Sequence, residues 1–148
     1  MELFTIGYEG LDQKQFLSWL RNHNISVVAD VRYFPLSRKK GFSKSGLSTL
    51  LGEYRIDYMN FRDLGAPKEL RTFLAETKDY STFFRRYKKV ISKNTADIDG
   101  ILSMVNNGEK VALLCYEKDP ETCHRKIVAN EVMKKDGNGL KIKHLGFY

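Results

Sequence analysis

Three apolar runs that lack a polar/apolar alternation constrain the fold most. They occupy residues 3–6, 25–31 and 111–116. Continuous apolar runs of this length, rich in β-branched residues, are typical of strands covered on both faces, as in a parallel sheet. Apolar residues at helical spacing over residues 12–22 complete a βαβ unit, whose crossover is right-handed in nearly all known cases. The pattern therefore predicts an α/β fold with a mainly parallel sheet and helices on both faces.

The rest of the chain continues this alternation of helices and strands. Its spacing predicts helices over residues 47–54, 68–75, 82–91, 96–107 and 120–135, and strands over 56–61 and 140–145. The apolar rhythm fails over residues 33–46, which are predicted to form an exposed loop. No repeat, low-complexity tract or linker divides the chain. We therefore expect residues 1–148 to form a single α/β domain around about five strands.

The charge balance narrows the class of partner. Lys and Arg number 25 against 18 Asp and Glu, which gives a formal net charge of +7. Five cations stand without an acid over residues 32–44, and residues 85–93 form a second basic block. Either block alone is compatible with a solvated surface. Together they favour an anionic partner, either a phosphate-bearing ligand or nucleic acid.

The sequence shows no sign of membrane insertion or export. No apolar run approaches the ~20 residues that a spanning helix needs, and residues 1–7 lack the features of a secretory signal. Two cysteines do not make a disulfide framework, so we expect reduced thiols and a cytoplasmic location. The pattern specifies neither a cofactor nor an oligomeric state.

Polar and reactive side chains fall at the predicted carboxyl ends of the strands and at the start of the helix after residue 116. Open α/β sheets bind their ligands at this edge. The residues concerned are Gly7, Tyr8, Asp30, Arg32, Cys115, Glu117, Cys123, His124 and Arg125. We predict that they share one site.

Three arginines are candidate ligands for anionic oxygens: Arg32, Arg38 and Arg125. Arg125 is predicted near a helix N-terminus, where free N–H groups and the helix dipole favour an anion. Simple ion pairing is the alternative for this side chain. Gly7 and Tyr8 are further candidates for substrate binding, because a glycine lets a ligand approach the backbone, although many such glycines only make turns.

Two carboxylates and a histidine are candidates for general acid–base catalysis. Asp30 is either a general base or, with equal weight, a carboxylate that forms a structural ion pair with Arg32 or Arg125. Glu117 follows the strand over residues 111–116. His124 is a candidate because histidine titrates near neutral pH. A capping or surface role is the alternative for this residue.

The two cysteines are predicted to differ in reactivity. Cys123, in the first turn of a helix beside His124 and Arg125, is placed where the thiolate is favoured, so it is the candidate nucleophile with His124 as its proton partner. A structural thiol is the equally weighted alternative for Cys123. Cys115 ends an apolar strand and is predicted to be packed and inert.

Cys115, Cys123 and His124 are also three zinc-type ligands, with Asp30 or Glu117 as a fourth. Their C-x₇-C-H spacing matches no standard zinc finger, and adjacent ligands are geometrically awkward, so we predict no metal site. The sequence contains no G-x-x-x-x-G-K-[ST] loop, no G-x-G-x-x-G turn and no G-x-S-x-G elbow.

With these motifs in view, the chain resembles the uncharacterised family named domain of unknown function four-eight-eight. The resemblance rests on motifs in chain order: Thr5-Ile6-Gly7-Tyr8, Asp30-Val31-Arg32 followed by Pro35, Ser37, Arg38 and Phe42, Leu64-Gly65-Ala66, and Cys-x-Glu-x-x-Pro-x-x-Cys-His-Arg over residues 115–125. It implies a Rossmann-like fold and a site shared by these residues, and it supplies no reaction. Tyr8 stands where many relatives have His-Ser, so a mechanism that uses that histidine does not apply here.

Three functions follow from these patterns. The leading hypothesis is an enzyme that acts on a phosphate-bearing substrate, either a nucleotide or a nucleic acid. The alternative is a nucleic-acid-binding module without catalysis, which would use residues 32–44 and 85–93 and stack bases on the aromatic residues between the cations. The third is a zinc- or redox-linked regulatory protein built on Cys115 and Cys123.

Overall fold

The structure is a computed structural model that describes residues 1–146. Its five strands form one sheet with the order β3-β2-β4-β1-β5, and each neighbouring pair is parallel. The strands are β1 (Glu2–Gly7), β2 (Val27–Asp30), β3 (Asp57–Asn60), β4 (Val111–Cys115) and β5 (Lys141–Leu145). The predicted five-stranded, mainly parallel sheet is confirmed.

Six α-helices connect the strands. They are α1 (Gln13–Asn22), α2 (Lys44–Glu53), α3 (Lys68–Thr77), α4 (Tyr80–Ser92), α5 (Thr95–Asn106) and α6 (Arg125–Asp136), with 3₁₀ turns at Arg62–Leu64 and Pro120–Thr122. Helix α1 begins at a capping box, in which Asp12 accepts from the Gln15 N–H and the Gln15 side chain accepts from the Asp12 N–H. No helix within residues 1–146 has both the length and the apolar character that a membrane crossing requires.

Alternate residues of each central strand pack into different helical layers. In β4, Ala112 and Leu114 join an apolar cluster that includes residues of α1 and α2, and Leu113 joins the cluster that includes residues of α4, α5 and α6. Every residue of β4 is buried. A strand covered on both faces needs apolar side chains at consecutive positions, which explains the continuous run in the sequence.

The single helix predicted over residues 120–135 is wrong in its first part. Residues 120–122 form a 3₁₀ turn, Cys123 is extended with φ −119° and ψ 143°, and α6 begins only at Arg125. Two tertiary contacts hold this segment out of a helix. Cys123 is bonded to Cys115 at the end of β4, and the His124 ring donates to the Val31 carbonyl beyond β2.

The strand order brings three strand ends together at the centre of one sheet edge. Strand β4 lies between β1 and β2, with Gly7 in register with Cys115 and Asp30 in register with Leu114. The carboxyl ends of parallel strands lie at the same edge, so the residues that follow β1, β2 and β4 meet there. The candidate site lies at this edge.

Candidate functional site

A cavity of about 570 Å³ opens at this sheet edge. That volume is in the range typical of small-molecule sites. Residues that follow β1, β2 and β4 form one side, and residues of α3 and α4 with the turn between them form the other. The aromatic members of the lining are Tyr8, Tyr33, Phe34, Tyr80, Phe83 and Tyr116, and the cationic members are Arg32, Arg71 and Lys78. Glu117 is the one acidic side chain among the lining residues within 1–146.

Asp30 is held in a buried ion pair. Its Oδ1 accepts from Arg32 Nε at 2.8 Å, and its Oδ2 accepts from Arg32 Nη2 at 2.7 Å and from the Tyr58 hydroxyl. Burial and the Asp30 carboxylate raise the pKa of Tyr58, which keeps that hydroxyl protonated as a donor. Asp30 is fully buried and is not among the cavity-lining residues. This geometry matches the alternative role stated for Asp30, a structural ion pair with Arg32.

Arg32 borders the cavity, and its guanidinium already donates four hydrogen bonds to protein acceptors. Besides the two bonds to Asp30, Nη1 donates to the Phe42 carbonyl at 2.7 Å and lies 3.3 Å from the Tyr8 hydroxyl. Tyr8 in turn stacks on Phe42, with ring centroids 4.8 Å apart. Arg32 therefore fixes the position of Tyr8 and of the loop after β2.

Arg125 is fully buried and supports the chain that leads into the cavity. Its Nη1 donates to the Glu117 carbonyl, and its Nη2 donates to the Lys118 carbonyl at 2.9 Å. Burial lowers the pKa of Arg125 to about 10. Arg125 does not line the cavity, and Arg38 is exposed on the loop after β2, also outside the lining. The structure thus places both outside the lining of the cavity.

Gly7 is required by a close approach of two backbones. A Cβ at this position would lie 1.7 Å from the Glu117 carbonyl oxygen and 3.1 Å from Arg125 Nη1. Real Cβ contacts do not reach so short a distance, so only glycine fits between the end of β1 and residue 117.

The expectation of two reduced thiols is not met, because Cys115 and Cys123 are joined by a disulfide. Both residues are 1% exposed, so the structure shows no difference in shielding between Cys123 and Cys115. Cys123 lies in the extended segment before α6, whereas a helix dipole would favour the thiolate only inside the first turn. Cys115 is nevertheless one of the residues that line the cavity.

His124 and Glu117 flank the Cys115 sulfur at the floor of the cavity. His124 Nε2 donates to the Val31 carbonyl at 2.8 Å, and because a carbonyl only accepts, the proton is on Nε2 and the lone pair is on Nδ1. Nδ1 lies 3.8 Å from Cys115 Sγ, and Glu117 Oε2 lies 3.0 Å from the same sulfur. Burial lowers the pKa of His124 to about 4 and raises the pKa of Glu117.

The ligand atoms of Cys115, Cys123 and His124 all lie within 4.8 Å of one another. The sequence argument that adjacent ligands are awkward does not hold here. Cys123 is extended whereas His124 has φ −66° and ψ −18°, and this change of backbone conformation directs both side chains to Cys115.

Sequence reasoning missed the wall of the cavity that α3 and α4 provide. Arg71 lies on α3 with its guanidinium carbon 5.0 Å from the Phe34 ring centroid, and Lys78 follows at the end of that helix. Tyr80 and Phe83 come from the first turn of α4. The cluster of aromatic and cationic residues over 78–87 could have indicated this wall. Its helical spacing was instead interpreted as a buried apolar face and a solvated charged face.

The fold and its edge cavity define an α/β protein of the Rossmann-like type. The family model described as Domain of unknown function DUF488 matches residues 12–132. The match covers most of the chain, which therefore belongs to this family. The comparisons with curated proteins and with solved structures found no match.

Proposed function

We propose that this protein binds a phosphate-bearing aromatic ligand, of the nucleotide type, in the cavity and acts on it as an enzyme. The observation that carries the proposal is a cavity at the sheet edge where α/β proteins bind their ligands. It combines the exposed rings of Phe34, Tyr80 and Tyr116 with two cations that form no ion pair within the described part of the chain. A nucleotide offers a flat base to the rings and an anion to the cations.

The aromatic part of the cavity is preorganised for stacking. Tyr8 is fixed between Phe42, on which it stacks, and Arg32, whose guanidinium carbon is 5.3 Å from the Tyr8 ring centroid. Tyr116 packs edge-on against Tyr8 at 5.3 Å and is 47% exposed, so it offers ring surface at the cavity. Stacking of a base on an aromatic side chain contributes about 1–3 kcal/mol.

The cationic part is supplied by Arg71 and Lys78. Arg71 Nε donates to the Ala66 carbonyl at 3.2 Å, and neither cation forms an ion pair within the described part of the chain. Both are exposed residues of the cavity wall. A phosphate would gain two charge-assisted contacts here without breaking an existing pair.

Catalysis rests on fewer residues than the sequence suggested. Asp30 is paired with Arg32 and Cys123 is bonded to Cys115, so neither is free to react in this structure. Glu117 and His124 line the cavity and are the acid–base candidates that remain within reach of a bound ligand.

The binding test is a titration of adenosine monophosphate into the wild type and the Arg71→Gln variant by calorimetry. Loss of one charge-assisted contact is expected to raise Kd about tenfold. The matched control is Arg86→Gln, because Arg86 also lies over a ring, 5.1 Å from the Phe73 centroid, but outside the cavity. The proposal fails if the wild type does not bind the nucleotide, or if both variants bind it equally.

A second candidate function is binding of nucleic acid without catalysis. The specific observation is that α4, which gives Tyr80 and Phe83 to the cavity, also carries exposed Arg85, Arg86 and Lys89. For that function, Arg86→Gln would weaken binding of a single-stranded oligonucleotide, and affinity would fall steeply with salt. A mononucleotide that binds as tightly as the oligonucleotide would refute this second function.

A further inference from the structure

We propose that Cys115, Cys123 and His124 form a site for a divalent transition-metal ion of the zinc type when the two cysteines are reduced. Two thiolates and one imidazole are a donor set that zinc prefers. Their ligand atoms are already gathered within 4.8 Å. This inference does not depend on the ligand proposed for the cavity, because Arg71 and Lys78 are not part of the site. It shares His124 and Glu117 with the acid–base candidates named above, and in the metal-bound state His124 is a ligand rather than an acid–base group.

The separation of the two cysteine backbones suits an intervening ion. Their Cα atoms are 7.2 Å apart, wider than the about 4.4–6.8 Å usual for disulfides. With metal–sulfur bonds of about 2.3 Å, two sulfurs on one tetrahedral ion lie about 3.8 Å apart. The wider backbone separation leaves room for the sulfurs to part by side-chain rotation alone.

His124 is oriented as metal-bound histidines are. Its Nε2 donates to the Val31 carbonyl at 2.8 Å, which fixes the ring and leaves the Nδ1 lone pair free. A backbone carbonyl in this position is a usual outer partner of a ligating histidine. Nδ1 is 3.8 Å from Cys115 Sγ, close to the about 3.6 Å that separates sulfur and nitrogen on one tetrahedral zinc ion.

The fourth position of such a site faces the cavity. Glu117 Oε2 lies 3.0 Å from Cys115 Sγ, and Cys115, Glu117 and His124 all line the cavity. Either the Glu117 carboxylate or an atom of a cavity ligand would complete the coordination. Three protein ligands and one exchangeable position are the pattern of catalytic zinc sites rather than of closed structural ones.

The disulfide and the metal exclude each other. A dithiol that reduces the Cys115–Cys123 bond supplies two electrons and two protons, breaks the S–S bond and leaves as its own disulfide. Binding of the ion then releases the two thiol protons, since thiolates are the ligands. Two-electron oxidation of the thiolates by a disulfide oxidant reforms the S–S bond and frees the ion.

The test is a titration with Co²⁺ under anaerobic conditions, before and after treatment of the wild-type protein with a phosphine reductant. The reduced protein is expected to bind one Co²⁺ per chain, with thiolate-to-cobalt charge-transfer absorption and the intense visible bands of tetrahedral Co²⁺. Zn²⁺ should abolish both signals, and the oxidised protein should show neither. Absence of charge-transfer absorption in the reduced wild type overturns the proposal without recourse to any variant.

Variants assign the ligands. In the reduced state, Cys123→Ser should lower the charge-transfer intensity, and His124→Gln should weaken Co²⁺ binding at least about tenfold. His23→Gln is the matched control, because His23 caps the end of α1, outside the site, and it should leave affinity and spectrum unchanged. Unchanged affinity in His124→Gln would overturn the three-ligand site.

Discussion

The sharpest structural prediction concerns Asp30, whose replacement by asparagine should strongly destabilise the fold. Asp30 is fully buried and Arg32 is 6% exposed, so the variant leaves a guanidinium charge buried without its counter-ion. The new amide NH₂ also replaces a carboxylate oxygen that accepts from the Arg32 guanidinium, and a guanidinium can only donate. Breaking a buried pair from one side costs about 3–5 kcal/mol.

This cost is measurable by equilibrium unfolding in urea. With a slope of about 2 kcal/mol/M, a loss of about 3–5 kcal/mol lowers the unfolding midpoint by about 1.5–2.5 M. The matched control is Asp99→Asn, which breaks an ion pair with Lys135 whose side chains are 58% and 45% exposed. An exposed pair of this kind contributes below about 1 kcal/mol.

The reasoning is refuted if Asp30→Asn and Asp99→Asn shift the midpoint equally. In that case the buried pair would contribute no more than a surface pair. The conclusion that Asp30 is a structural residue at the end of β2 would then lose its energetic basis.

Two further predictions concern the segment around residue 117. Gly7→Ala should destabilise the fold by about 1–3 kcal/mol because its Cβ would overlap the Glu117 carbonyl, whereas Gly100→Ala, with open space inside α5, should stabilise it by about 0.5–1 kcal/mol. Thermal or urea unfolding of both variants checks this, and equal effects would contradict it. Arg125→Met should destabilise the fold by about 2 kcal/mol or more, since the hydrogen bonds of the buried guanidinium to the Glu117 and Lys118 carbonyls are lost. Native stability in Arg125→Met, with only ligand binding impaired, would show that Arg125 is an anion ligand after all.

Much of the fold was predictable because a strand buried on both faces requires apolar residues at consecutive positions, and this pattern is visible in the sequence. The continuous apolar run of β4 and the helical spacing of α1 each reflect a local period that packing requires. The interruption before α6 was not predictable. Pro120 is equally suited to open an α-helix or a 3₁₀ turn. The contacts that decide between them are the disulfide to Cys115 and the hydrogen bond to Val31, which is 93 residues from His124 along the chain.

The candidate site was likewise predictable only in part. Strand ends are identifiable from sequence, so Tyr8, Glu117 and His124 were named, and all three line the cavity. Arg71 and Lys78 were missed because tertiary packing places α3 and α4 beside the cavity. The spacing of apolar residues in the sequence does not show where a helix packs. The roles of Asp30 and Arg125 depend on their burial, which the sequence does not show. A buried charged group must find its partners within the protein and cannot face a ligand in solution.

The central place of β4 has a consequence for the order in which the sheet can be assembled during synthesis. Strand β1 pairs with β4 and β5, and both of these follow it by more than 100 residues. Strand β1 therefore has no neighbour in the sheet to pair with until residues 111–115 have left the ribosome. Loop closure over this distance must precede its first hydrogen bonds in the sheet. Leu3 and Ile6, fully buried in the finished protein, are thus synthesised more than 100 residues before the strand that encloses them.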